Sequence, residues 1–355
     1  MDMKPMQRNT DVSALVSRHR AAIMGAAALL IYFFHAWTPI FGAVPVLGTV
    51  EEFIKRTGFC GVDIFLFLSG MGLTYAFGKT GLVTFYLRRL KKLALPFLIV
   101  AIAEALCLKW SFPDFLKNVS GYHFYTQNIY AFLWFGPAIG TLYLLFPAYY
   151  SAFRRSARPL CFTLGAMAVW LLLSLTFARR MRLDLYGFTN RIPIFLFGIY
   201  FGARAQKGPF CLNPWGWLAV ACVFVLGIFL SYKTNYDYIF LLVPVSNCCV
   251  PNFLIAASGV FLLSGGLEVL AGHSFTRVIG TALSGFLSFF GTFTWEFYCV
   301  QEFWGDLLRG WLPALGPRKM NLLMFLSTTA VAYLLHWIVT LLFQALGNLR
   351  KPADA

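Results

Sequence analysis

The stretch GFCGVDIFLFLSGMGLTYAFG, residues 58–78, and the following FYLRRLKKLALP, residues 85–96, decide how the chain is read. The first is apolar over about one helical membrane crossing and carries a single acid, Asp63, near its start. The second gathers Arg88, Arg89, Lys91 and Lys92 just past the end of that run. A carboxylate inside a hydrophobic run is costly in lipid, so it calls for a partner or a function. The preceding apolar run, LLIYFFHAW at residues 29–37, carries His35. Histidine, acid and basic cluster form the frame for everything else.

Composition extends that reading to all 355 residues. The chain is 59% hydrophobic and 12% charged, with a mean hydropathy of +0.70. Long apolar runs follow one another, and in lipid only helices or closed barrels satisfy their own backbone. These runs are too continuous for barrel strands, so the expected fold is an all-α, polytopic transmembrane helical bundle. The formal charge of +15 sits in short loops between apolar runs, where topology and lipid headgroups account for it. No basic domain stands apart for nucleic acid. Eight scattered Cys make no CxxC pair and read as small membrane-helix residues, and no metal site is expected.

In chain order, residues 1–20 read as a basic cytoplasmic segment. Spans follow near 21–41, 59–78, 93–109, 129–150, 159–178, 192–206, 214–231, 251–271, 284–303 and 321–346, about ten in all. The run from Ala21 is too long for a signal-peptide core. Residues 21–346 form one transmembrane domain and 347–355 a cytoplasmic tail. Cations lean modestly to the cytoplasmic side, against which the arginine-rich outer loop 179–191 stands out. The stretch DYIFLLVPVSNCCV, residues 237–250, reads as a re-entrant piece, an outer loop or part of a long kinked helix, since Pro244 breaks it and Pro251 follows it.

His35 is roughly 9 Å from the outer end of its span and Asp63 roughly 7 Å from the outer start of the next, so the two share a level. A His held by a carboxylate suits general-base work on a hydroxyl. The bland reading has each bonding a neighbouring helix. The cluster Arg88, Arg89, Lys91 and Lys92 reads either as a positive-inside anchor or as a phosphate site, guanidinium forks matching phosphate geometry. Roughly 21 Å of helix separates the inner start of the first span from His35, a distance that suits a thin donor such as a coenzyme A thioester. Arg191 and Glu296 lie within or at the ends of spans and indicate a polar interior. Trp134 and Tyr143 join them as weaker candidates, since aromatic residues there more often form belts or packing. Zinc-hydrolase, serine-hydrolase and nucleotide-hydrolysing motifs are absent.

Together these stretches resemble the acyltransferase 3 family of integral membrane acyltransferases. IMGAAALLIYFFH (23–35) is similar to its first-span histidine motif and GFCGVDIFLFLSG to its second-span signature. FYLRRLKKLALP is similar to its Arg-x-x-Arg stretch, and LWFGPAIGTLYLLFP (133–147), NRIPIFLFGIYFG (190–202) and SFFGTFTWEFYCVQ (288–301) to later segments. The resemblance implies a membrane O-acyltransferase moving an acyl group, commonly acetyl, from cytoplasmic acyl-CoA to a hydroxyl of a cell-surface or exported saccharide or lipid-linked glycan. It implies an inner-membrane location and acyl-CoA as donor substrate, with no bound cofactor. His35 would match the essential histidine, Arg88, Arg89 and Lys92 the donor-binding stretch, and Asp63 and Arg191 polar motif residues. The chain departs at Met24, where many members have Arg, at Lys92 for Arg, near 294 with Thr for Ser, and at Gln301 where a His is frequent. A transporter or flippase of an acyl or glycan carrier is the alternative, because intramembrane acids and histidines also mark proton-coupled carriers. A non-catalytic scaffold is a third.

Overall fold

The computed structural model describes residues 10–126, 133–176, 185–236 and 249–348. The read segments 1–9, 177–184, most of 237–250, and 349–355 lie outside the described residues. The described chain is almost wholly helical. Its helices are α1 (Val12–Arg18), α2 (Arg20–His35), α3 (Pro45–Thr57), α4 (Gly61–Ala76), α5 (Leu82–Leu108), α6 (Phe112–Val119), α7 (Tyr122–Thr126) and α8 (Phe135–Arg155). They continue with α9 (Pro159–Thr176), α10 (Tyr186–Thr189), α11 (Ile192–Ala205), α12 (Pro214–Tyr236), α13 (Val250–Gly272), α14 (Arg277–Thr292), α15 (Thr294–Trp311) and α16 (Pro317–Asn348). A two-residue ribbon, β1 (Thr10–Asp11) with β2 (Cys211–Leu212), is antiparallel with Thr10 opposite Leu212. Asp11 closes it by accepting the Phe210 N–H at 3.2 Å while capping α1 through the Ser13 N–H at 3.0 Å.

Four stretches are long and apolar enough to cross a membrane: Pro45–Ala76, Pro214–Lys233, Val250–Gly272 and Pro317–Ala345. Two bent pairs, α1 with α2 at 69° and α14 with α15 at 74°, raise the number to six if each is one span. The chain is thus a multi-pass membrane helical bundle, but the ten spans read from the sequence are not reproduced. Pro159–Ser174 and Ile192–Ala205 are apolar but short, and α5 carries Lys91, Lys92 and Glu104 inside its length. Three local expectations also change. The span read at 284–303 is two helices that break at Phe293. The basic cluster is part of α5 rather than of a loop past a span. The connection after His35 contains an amphipathic helix, α3, with Val46, Leu47 and Val50 outward and Glu51 buried.

Small residues determine which helices meet. A Cβ at Gly70 would overlap the Phe195 carbonyl and one at Gly198 the Phe67 carbonyl, so α4 and α11 pack backbone to backbone. Gly25 and Gly291 do the same for α2 and α14, against the Leu287 and Ala21 carbonyls, and Gly61 brings α4 onto Ala27 of α2. The result is a row α11–α4–α2–α14 at the centre, with Tyr32, Phe67, Phe290, Phe293 and Phe297 fully buried along it.

Gly198→Val should lower stability by about 1–3 kcal/mol through forced separation of α4 and α11. Gly165→Val, where the added side chain meets open space, should cost well under half as much. Thermal unfolding in detergent, compared between the two variants, measures this.

Candidate active site

The bent junction of α14 and α15 forms one wall of a cavity of about 470 Å³. The start of α2, the middle of α4, the first half of α5, α8 and α16 complete it. Arg20, Arg89 and Lys92 line it. Glu296, the one carboxylate in its lining, is already engaged, with Oε1 3.0 Å from His336 Nδ1. Arg88 and Lys91 line an adjoining hollow of about 310 Å³, which shares Arg89 and Lys92 with the first. The spacing explains the split: residues three apart on a helix share a face, so 89 and 92 point one way and 88 and 91 the next. Among the described residues no acid pairs with these cations or with Arg20. The guanidinium of Arg89 lies 6.0 Å from the Tyr143 ring and 5.7 Å from that of Phe85.

Thr292 and Thr294 flank the break and also face the cavity. No side chain caps α15, so its first N–H groups begin at the cavity wall and add positive character there. The chemistry assembled here, several fixed cations beside a helix N-terminus, is that of an anion site. Arg20 is one residue that sequence reasoning missed, because it was read as part of the polar segment 1–20. It lies four residues before Met24, and both line the cavity. Residues four apart share a helix face, so Arg20 and Met24 face the cavity together.

A second constellation surrounds His35, the last residue of α2. Its Nδ1 is 3.5 Å from Glu302 Oε1 on α15. The expected His35–Asp63 pair is therefore replaced. Asp63, 1% exposed, has its Oδ2 3.6 Å from Arg191 Nε and accepts from Asn252 Nδ2 at 3.2 Å. The direction a side chain leaves its helix depends on the neighbours, which a sequence pattern does not specify. Here α4 turns Asp63 toward α11 and α13. The Arg191 guanidinium lies 5.7 Å from the Trp134 ring and 5.8 Å from that of Phe59. Phe59 in turn packs on Phe34, beside His35. Arg191 Nε and Nη1 and Asn252 Oδ1 are buried without a hydrogen bond among the described residues. Such orphaned polar atoms call for a functional account. Of the candidates, His35, Asp63, Arg191 and Trp134 thus gather at one end, and Arg89, Lys92, Tyr143 and Glu296 at the cavity.

Behind His35 the chain is held by side chains far away in sequence. Lys55 donates to the Phe34 carbonyl at 2.7 Å and Arg309 to that of Ala36 at 3.1 Å. Asn321 makes a double bond pattern with Thr38, accepting its N–H at 3.0 Å and donating to its carbonyl at 2.7 Å. The Glu51 carboxylate accepts from Trp37 Nε1 at 2.6 Å and from the Ile40 and Phe41 N–H groups at 2.9 and 2.8 Å. None of these was legible as a site residue, since each serves backbone groups whose position only the fold provides.

The two constellations adjoin. Phe65, Phe135 and Tyr298 line the cavity, and the Tyr298 hydroxyl accepts the Phe135 N–H at 3.3 Å. Trp134, which covers Arg191, is the next residue. From Arg20 to His35 the rise along α2 is roughly 22 Å.

A family model described as an acyltransferase domain matches residues 24–344, nearly the whole chain. No curated protein and no solved structure matches it.

Asn321→Ala leaves the Thr38 N–H and C=O without their partners and should cost about 1–3 kcal/mol locally. Hydrogen exchange should then rise at residues 36–41 with little change in α4 or α11. Unaltered exchange at 36–41 would contradict the clamp.

Proposed function

The chain belongs to the acyltransferase domain family, and from that premise we propose that this membrane enzyme transfers an acyl group, acetyl in the simplest case, from acyl-CoA to a hydroxyl of an exported saccharide. Its location would be the inner membrane, with the donor entering from the cytoplasm and a free or lipid-linked glycan as acceptor. One observation carries the reading: Arg20, Arg89 and Lys92 converge on a cavity whose single carboxylate is occupied by His336. Like charges held together in a site of reduced polarity favour an anionic ligand, and the phosphates of coenzyme A supply one. The donor's arm is long enough to reach from those cations toward His35.

In this mechanism Glu302, whose Oε1 lies 3.5 Å from His35 Nδ1, orients the ring electrostatically, and Nε2 takes the proton of the acceptor hydroxyl. The hydroxyl oxygen bonds to the thioester carbonyl carbon. The tetrahedral intermediate then collapses, the C–S bond breaks with its electron pair on sulfur, and the thiolate takes up the proton. Arg191 lies within electrostatic range of His35 and has unspent N–H groups, so it is assigned the charge that develops on the carbonyl oxygen. Asp63 acts through Arg191 rather than directly on His35. The carrier alternative rested on buried acids and histidines, which an acyltransferase accommodates equally, and membership of this family favours the enzyme.

Label transfer from radioactive acetyl-CoA in sealed vesicles tests the class. His35→Ala should reduce kcat about 10²–10⁴-fold, the range for loss of a general base. Native-like transfer by this variant would remove His35 from the mechanism. Arg89→Ala and Arg20→Ala should each raise the KM for acyl-CoA about ten- to a hundredfold, the weight of a charge-assisted hydrogen bond. The acceptor KM should stay as it is, and equal donor KM values in native and variant proteins would sink the phosphate assignment.

A further inference from the structure

The cavity holds a second histidine–carboxylate pair for which the transfer just described has no use. Glu296 is in the first turn of α15 and His336 is on α16, and both line the cavity. Their place along it follows from helix rise. His336 is seven residues, roughly 10 Å, from Phe343, which borders both the cavity and the basic hollow. Glu296 is six residues, roughly 9 Å, from Glu302, the partner of His35. The pair therefore sits between the cations at the mouth and the histidine at the far end.

With Glu296 as acceptor, His336 Nδ1 carries a proton and donates it at 3.0 Å. In a neutral ring with Nδ1 donating to Glu296, Nε2 is a lone-pair acceptor, and among the described residues no hydrogen bond occupies it. The neighbouring wall is apolar: Phe65, Phe135, Ile139, Val339 and Phe343. A polar group entering such a wall is stable only if a partner meets it. A coenzyme A thioester brings secondary amide N–H groups on the arm that links its phosphates to its sulfur.

We propose that His336 Nε2 accepts a hydrogen bond from an amide N–H of the donor's arm and so sets how deep the thioester reaches, with Glu296 as the positioning residue that fixes the ring. This rests on the acyl-CoA reading, yet it concerns a different part of the donor from the phosphates.

The test compares acetyl-CoA with acetyl-pantetheine, which keeps the arm and lacks the nucleotide phosphates, on the full chain in lipid nanodiscs. His336→Gln places an amide oxygen near the position of Nε2, whereas His336→Asn keeps the donation to Glu296 and has no acceptor at that depth. The donor KM should rise about five- to tenfold in His336→Asn for both donors, the weight of one hydrogen bond, and stay within about twofold of native in His336→Gln. The acceptor KM should not move. The reverse order, with Asn native-like and Gln impaired, would reduce His336 to a structural partner of Glu296 and overturn the proposal. Native KM values in both variants would overturn it as well. Arg89→Ala should affect acetyl-CoA alone, and its failure to do so would count against the phosphate site while leaving the acetyl-pantetheine comparison decisive for His336.

Discussion

Removing a charge from water into lipid or protein is expensive unless something meets it, and the described polar side chains of this bundle are arranged around that constraint. Asp63 has Arg191 and Asn252, Glu296 has His336, and Glu302 has His35. Glu268 on α13 takes Arg18 and His19 at the start of the chain. Glu51 is met by the Trp37 indole N–H and by backbone N–H groups instead of a cation. Against this background the cluster Arg20, Arg89 and Lys92 stands out. Its positive charge pairs with no acid among the described residues, and that imbalance is what an anionic substrate would relieve.

The same constraint explains why the helices at the site are irregular. A continuous helix through position 293 would keep every N–H in its own ladder. The break between α14 and α15 instead brings a helix start, Thr292 and Thr294 to the cavity wall. Irregular backbone at membrane depth is tolerated where it lines a cavity or is covered by protein, and here it does the former. The glycine contacts make this affordable in space: Gly25 and Gly291 let α14 lie directly on α2, so the break falls beside Arg20 and Met24. Rigid packing of α4 on α11 places Asp63 and Arg191 opposite each other.

Much of this was legible in the residues themselves. Hydropathy established a membrane helical bundle, because a chain with so little polar surface has few other ways to satisfy its backbone. His35, Asp63, Arg191 and the basic cluster stood out because charge inside apolar runs is rare. The count of about ten spans is not reproduced among the described residues, where α2 stops at His35 and 284–303 bends at Phe293. Arg20 was passed over because its neighbours in sequence are polar, although its place one turn before Met24 was a usable signal.

What the sequence determined alone was therefore the solvent of the fold, its helical class and the family motifs, all of which depend on local composition and periodicity. Which polar residue meets which was decided by the tertiary structure. His35 went to Glu302 rather than Asp63, Glu296 to a histidine forty positions away, and Asn321 to a backbone 283 positions distant. A side chain's azimuth is set by how its helix packs on its neighbours, and that packing depends on glycine contacts between segments far apart in the chain, which no local pattern encodes.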